Sequence, residues 1–179
     1  MLKKFLIIIS LFINTVALAA DNNVAVLNTD RLKNDTKAGQ SIAKQVEDLQ
    51  AKFRDKVSKL TQEFDTKKIE LDKNKPILSK EAFAKKEAEF NNKMTEVRKD
   101  LQQEASKIDQ MQQMAVADFN TIARSVIDDV VKQGKYSHVF PAEVVIYADP
   151  KSDITSQVIA GVDKKTDRIE LKEPAKDKK

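Results

Sequence analysis

Apolar positions in the first half of the chain fall at Ile42, Val46, Leu49, Phe53, Val57, Leu60 and Phe64, with mainly Lys, Glu, Asp and Gln between them. The four-three-four spacing is an 11-residue repeat at about 3.67 residues per turn, which sets one narrow apolar stripe on a nearly straight helix. Its start lies between Asp35 and Ser41: Asp35, Thr36 and Ser41 are all N-cap residues, and Gly39 blurs the boundary. Farther on the period changes. Met94, Leu101, Ile108, Ala115 and Ile122 recur at every seventh residue, with Phe83, Phe90, Val97 and Met111 on the companion positions and Glu104 the one break.

Between the two patterns lies "LDKNKPILSKE", Leu71 to Glu81. Pro76 lacks the amide that a helix interior needs and pushes the residue before it toward extended geometry, while Ser79 can cap a new helix with Glu81 in its first turn. The chain therefore folds back into an antiparallel helical hairpin, residues 36–114 with a tip near 74–79. Its arm is on the order of 50 Å long. The second helix outruns the first before Gly134 ends it, and its last stretch, "VADFNTIARSVIDDVV", broadens its apolar stripe as a helix buried in a body does.

Three β-rich runs supply that body: Val24–Asn28, Tyr136–Phe140 and Glu143–Ala148, the last two split by Pro141-Ala142. A short helix from about Asp153 to Val162 follows. So small a sheet is marginal alone and leaves unpaired edges, so strands or helix ends from several subunits are expected to combine. The fold class expected is α+β, mainly α: a long two-helix coiled-coil arm projecting from a small β-strand body, residues 21–35 plus 115–162, that assembles across subunits. Val24, Val26, Leu27, Val139, Val145, Ile146, Ile154 and Val158 are the body's expected assembly residues. The remaining segment, 163–179, is charged and expected to be largely disordered.

The N-terminus changes the compartment. Lys3 and Lys4 precede an apolar run from Phe5 to Val16 and an A-x-A site at Ala17-Leu18-Ala19, the pattern of a secretory signal peptide cleaved after Ala19 or Ala20. The run is short for a membrane span. Without Cys the exported chain can have neither disulfides nor a lipid-modified N-terminal cysteine. Removing Lys3 and Lys4 takes 32 basic residues to 30 against 28 acidic ones, so any basic character that matters is local.

Candidate chemistry is sparse. The single histidine, His138, shares a strand face with Tyr136 and Phe140 and reads as a packed or surface side chain rather than a catalyst. No cluster of Cys and His suggests zinc, and Gly39, Gly134 and Gly161 are too scattered for a phosphate-cradling loop, so no enzyme and no cofactor is expected. Asn34-Asp35-Thr36 fits a glycosylation sequon, but a helix start accounts for the same residues. Around the tip Lys67, Lys68, Lys73, Lys75, Lys80, Lys85 and Lys86 outnumber the acids, although Asp65, Glu87 and Glu89 just outside nearly cancel the excess. Two readings stand: a solvated arm surface, or an electrostatic guide toward clients, lipopolysaccharide or an anionic membrane surface. Nucleic acid is not expected, since the chain is exported and no aromatic platform accompanies the lysines.

In order, the chain carries a signal peptide, a "VAVLNTDRL" strand, a charged two-helix arm, a strand pair ending in "VVIYADP" and a closing "DITSQVIAGV". In this it resembles the Skp/OmpH family of periplasmic chaperones over Val24 to Val162, most specifically at "VAVLN" and at Asp153, Ile154, Thr155 and Val158. The resemblance implies a homotrimer whose β-body carries three helical tentacles around a cavity and holds unfolded outer-membrane proteins without ATP. The family's lipopolysaccharide-contacting residues map onto no motif here. The other class that the pattern admits is a structural coiled-coil spacer or adaptor of the cell envelope, for which continuous heptads and a dimer would be expected. The 11-residue repeat and the tip break argue against a simple rod.

Overall fold

The computed structural model describes residues 23–175, so the expected signal peptide lies outside the described residues. Strand β1, Val24–Leu27, opens the chain, and its eclipsing neighbour is a parallel strand, β2, His138–Pro141, with Ala25 opposite Val139 and Val26 opposite Phe140. The other edge of β1 is also taken. Ile154 donates its amide to the Val26 carbonyl at 3.0 Å, and Val26 forms a parallel bridge with Asp153. A four-residue strand is thus held on both sides by segments from the far end of the chain.

Asn28 turns β1 into a helix absent from the sequence reading, α1, Thr29–Asp35. Its side chain accepts from the Arg31 amide at 2.7 Å while its own amide donates to the Thr155 hydroxyl at 2.9 Å. Thr36 then separates α1 from the arm helix α2, Lys37–Asn74. Fully buried, its hydroxyl donates to the Leu32 carbonyl at 2.9 Å and accepts from the Gly39 amide at 3.2 Å, closing one helix and capping the next. This contact occupies the sequon residue. The corner is tight, because a Cβ at Gly39 would stand 1.8 Å from the Lys33 carbonyl oxygen. Asp163 completes it by accepting from the Lys37 amide at 2.9 Å, placing a carboxylate at the positive end of α2.

Helix α2 stops at Asn74, although Lys75 before Pro76 keeps helical angles (φ −51°, ψ −46°) rather than the extended geometry expected of it. Helix α3, Lys80–Gly134, starts as expected with the Ser79 side chain accepting from the Ala82 amide at 3.2 Å. Gly134 is the last residue of α3, followed by Lys135 in the left-handed region at φ 51°. The final helix, α4, Thr155–Lys165, packs on the body end of α3 so closely that a Cβ at Gly161 would meet Val126 at 2.5 Å. Ile154, Val158 and Val162 have no exposure and form the core with Ala25, Leu27, Leu32, Phe119 and Val126. Each such side chain contributes on the order of 1.5–3 kcal/mol of burial.

Two expectations are corrected. Glu143–Ala148 is no strand: Ala142–Val144 and Pro150–Ser152 are short 3-10 turns joined by unpaired chain. The run is β-rich, but Pro141 ends β2 and the turn at Ala142–Val144 carries the chain away from the sheet, so the outer edge of β2 stays unpaired among the described residues. Nor is the C-terminal segment largely disordered over its described part, because residues 166–175 dock along the arm root with Ile169 buried.

Asp153 makes the junction pH-sensitive. Its carboxylate accepts from the Thr155 amide at 2.8 Å, and its pKa is held below the ordinary value, first by the hydrogen bond with the Thr155 side chain, then by that amide and nearby Arg31, against partial desolvation. A depressed carboxyl stabilises the fold above its unfolded pKa, about 3.9, and loses that contribution as pH falls through the folded value. Asp153→Asn is therefore expected to lower the urea midpoint at pH 7. The gap between variant and parent should narrow below pH 4, which paired denaturation curves at the two pH values will check.

Candidate functional site

The arm buries its apolar stripes only halfway. Leu49, Phe53, Val57, Leu60 and Phe64 of α2 and Phe90, Met94, Val97, Leu101, Ile108 and Met111 of α3 are all partly exposed, because two helices can cover only one side of each stripe. Ile42 and Val46 at the arm's root and Leu71 near the tip are the buried exceptions. Between the limbs, Val57, Leu60, Phe64, Met94, Val97 and Leu101 line an apolar groove of about 260 Å³. Phe64 meets Phe90 edge to face at 5.6 Å between ring centroids. Glu104, which breaks the heptads, is answered across the hairpin by the Lys56 ammonium.

The seven tip lysines separate into two groups. Lys67 pairs with Glu63 and lies 5.9 Å from the centroid of Phe64, Lys68 pairs with Asp72 at 3.2 Å, and Lys75 lies 5.6 Å from the centroid of Phe83. Lys73, Lys80, Lys85 and Lys86 make no ion pair among the described residues and are exposed. Cations and half-sunk aromatic side chains are therefore interleaved on one surface; Lys67, Lys86 and Lys93 share a groove with Phe64, Leu71 and Phe90.

At the other end of the molecule, the eight expected assembly residues also divide. Val26, Leu27, Ile154 and Val158 are buried within the chain's own core, and Val139 and Val145 are half-buried. Val24 lies at the surface and Ile146 is fully exposed. Sequence reasoning missed Ile146's exposed companions: Phe140 is 44% exposed, Val144 70% and Tyr147 84%. Their signal was the unbroken apolar run "VVIY" with no third strand in the chain to receive it. The loop bearing them is tied down by Glu143, whose carboxylate accepts from the Thr29 amide at 3.2 Å and the Thr29 hydroxyl at 3.3 Å. His138 is exposed, stacks on Phe140 at 6.1 Å and has its Nδ1 3.1 Å from the Ser137 hydroxyl. No group of three or more His, Cys, Asp or Glu among the described residues is placed to hold a metal.

These features define a class of protein, a hairpin arm with half-covered apolar stripes raised on a small body that carries an uncovered apolar edge. The family described as Outer membrane protein (OmpH-like) matches residues 23–162, and the chain belongs to it. Among solved structures the chain is similar to one from Caulobacter crescentus described as an outer membrane chaperone (OmpH-like). The TM-score is 0.79 and the identity 18%, over 88% of this chain and 93% of that one. At that identity the likeness speaks for the fold. No curated protein matches the chain. The resemblance read from "VAVLN" and "DITSQVIAGV" and the mainly helical fold with long arms both hold.

The arm's cohesion should come from its rings more than its charges. Phe90→Ala is expected to cost about 2 kcal/mol, since a half-buried ring in an aromatic pair is lost. Glu104→Gln, which removes an exposed pair, should cost under about 1 kcal/mol. Urea titrations followed by far-ultraviolet circular dichroism will rank the two, and the reverse order would assign the limb contact to electrostatics.

Proposed function

We propose that this chain is an ATP-independent periplasmic holdase that binds unfolded outer-membrane β-barrel proteins and keeps them from aggregating on their way to the outer membrane. Membership of the OmpH-like family supports a chaperone role. The observation that carries the reading is the arm itself, a long surface on which apolar stripes stay half-open beside cationic side chains. Such a surface offers many weak contacts to an unfolded chain and few to a folded one, so it lowers the concentration available to aggregate by mass action alone.

Assembly would multiply the effect. Phe140, Val144, Ile146 and Tyr147 form an apolar edge that no part of the described chain covers, and their burial between copies supports a homotrimer joined through the body with arms surrounding one space. Three arms around one client add their affinities through effective concentration. The exposed lysines Lys73, Lys80, Lys85 and Lys86 are the best placed to guide clients or to touch lipopolysaccharide or an anionic membrane surface.

Light scattering on the mature chain should give the mass of a trimer, and Ile146→Asp with Tyr147→Asp should release monomers of unchanged helicity. Diluting a β-barrel protein from urea without ATP should give less turbidity in the presence of excess trimer. If the lysines help in capture, association will slow as salt rises, with a screening length of about 8 Å at physiological ionic strength. Unchanged aggregation and no complex with any unfolded protein would favour the envelope spacer.

A further inference from the structure

Beyond α4 the chain does not leave the body. Residues 166–175 run along the root of the arm, past the end of the region matched by the family, 23–162. Gln45 of α2 receives them. Its Nε2 donates to the main-chain oxygen of Ile169 at 2.8 Å, and its Oε1 accepts from the main-chain amide of Leu171 at 3.2 Å. A carbonyl and an amide two residues apart, paired by one residue, are what a strand meets in a parallel ladder. The Gln45 amide thus stands in for a strand edge. Ser41, one turn earlier, holds the same Nε2 through its carbonyl at 3.1 Å and its hydroxyl at 3.0 Å, which orients the amide independently of the tail.

The docked segment alternates as a half-buried strand does. Ile169 is 7% exposed and joins the core, Glu170 is exposed, Leu171 is half-buried against that core and Lys172 is exposed. Two surface ion pairs hold its far end, Lys172 with Asp118 at 3.0 Å and Glu173 with Lys107 at 2.8 Å. Exposed pairs of this kind contribute about 0–1 kcal/mol each, so the attachment rests mainly on Ile169, Leu171 and the two bonds to Gln45.

We propose that this notch is a binding site for extended segments with alternating apolar residues, and that the chain's own tail occupies it in cis until such a segment displaces it. Identifying the competitor as an unfolded β-barrel strand rests on the holdase reading, because alternation is that strand's signature. Main-chain pairing makes recognition nearly indifferent to side-chain identity, and the apolar notch asks only that every second residue be apolar. The tether gives the tail a high effective concentration, so the site opens to clients that engage the arms at several points and stays shut to stray peptides.

The test uses a fluorescent peptide spanning Thr166 to Ala175 against four full-length proteins: the parent, Ile169→Asp with Leu171→Asp, the milder Lys172→Asp with Glu173→Lys, and Gln45→Ala added to the first pair. Releasing the tail should tighten peptide binding about tenfold, the charge-altered variant should fall between, and Gln45→Ala should abolish the gain. A peptide carrying Asp in place of its Ile and Leu should not bind. Equal affinity in all four, with helicity intact, would overturn the proposal. So would loss of helicity on release combined with no gain in the charge-altered variant, since the tail would then be a fixed part of the core. A gain in peptide affinity, with barrel aggregation unaffected by every variant, would keep the notch and overturn the barrel strand as its occupant together with the holdase reading.

Discussion

The whole molecule hangs on the double pairing of β1. A strand of four residues bonds to β2 on one side and to Asp153 and Ile154 on the other, joining positions more than a hundred residues apart. Closing so long a loop costs only logarithmically more than closing a short one, so a few buried bonds and a small apolar core suffice once the arm between has folded on itself. Everything at the root takes its position from that tie. Asn28 sends α1 off at a set angle, Thr36 and Gly39 turn the chain into the arm, and Asp163 returns from α4 to cap it. The run after Pro141 joins neither strand: both edges of β1 are used, and the turn at Ala142–Val144 leads it away from the open edge of β2, so it is left on the surface.

The division between body and arm is one of burial. Body side chains such as Ile154, Val158 and Val162 lose all contact with water, whereas the arm's stripes keep part of theirs exposed along nearly its whole length. Stability is therefore graded along the hairpin, and local opening at its outer turns is less costly than opening at its root. The arm's surface charges add little to this gradient, since most of their pairs lie one turn apart on a single helix.

Much of this was legible in the sequence where the cause is local. Pro76 and Ser79 mark the tip because a missing amide and a capping hydroxyl act within one turn, whereas Gly134 marks the end of α3 by making room for the Tyr136 ring while Lys135 takes the left-handed turn. The helical periods of the two limbs could be counted. Features with distant causes could not be read so. Thr29–Asp35 is too short to display a period and is a helix because Asn28 and the packing of Leu32 make it one. Glu143–Ala148 has strand-forming residues, yet the turn at Ala142–Val144 takes it away from the sheet. Of the candidate site, the lysines and apolar positions were visible but not their partition: no pattern announces that Lys75 lies over Phe83, or that Gln45 reaches a main chain 124 residues away.

The limbs are also mechanically unequal. Helix α2 ends at a threonine-glycine corner, whereas α3 continues past the arm root without a break for 55 residues and finishes beside the strand pair, where Asn23 donates to the Gly134 carbonyl at 3.0 Å. At 1.5 Å per residue that is a rod of about 80 Å, longer than the arm it helps to form. A sideways load at Pro76 is therefore not absorbed at the tip or at a joint halfway down. It arrives in the body as torque, with the Thr36–Gly39 corner as the fulcrum and the α3–α4 contact at Val126 and Gly161 as the bearing that resists it.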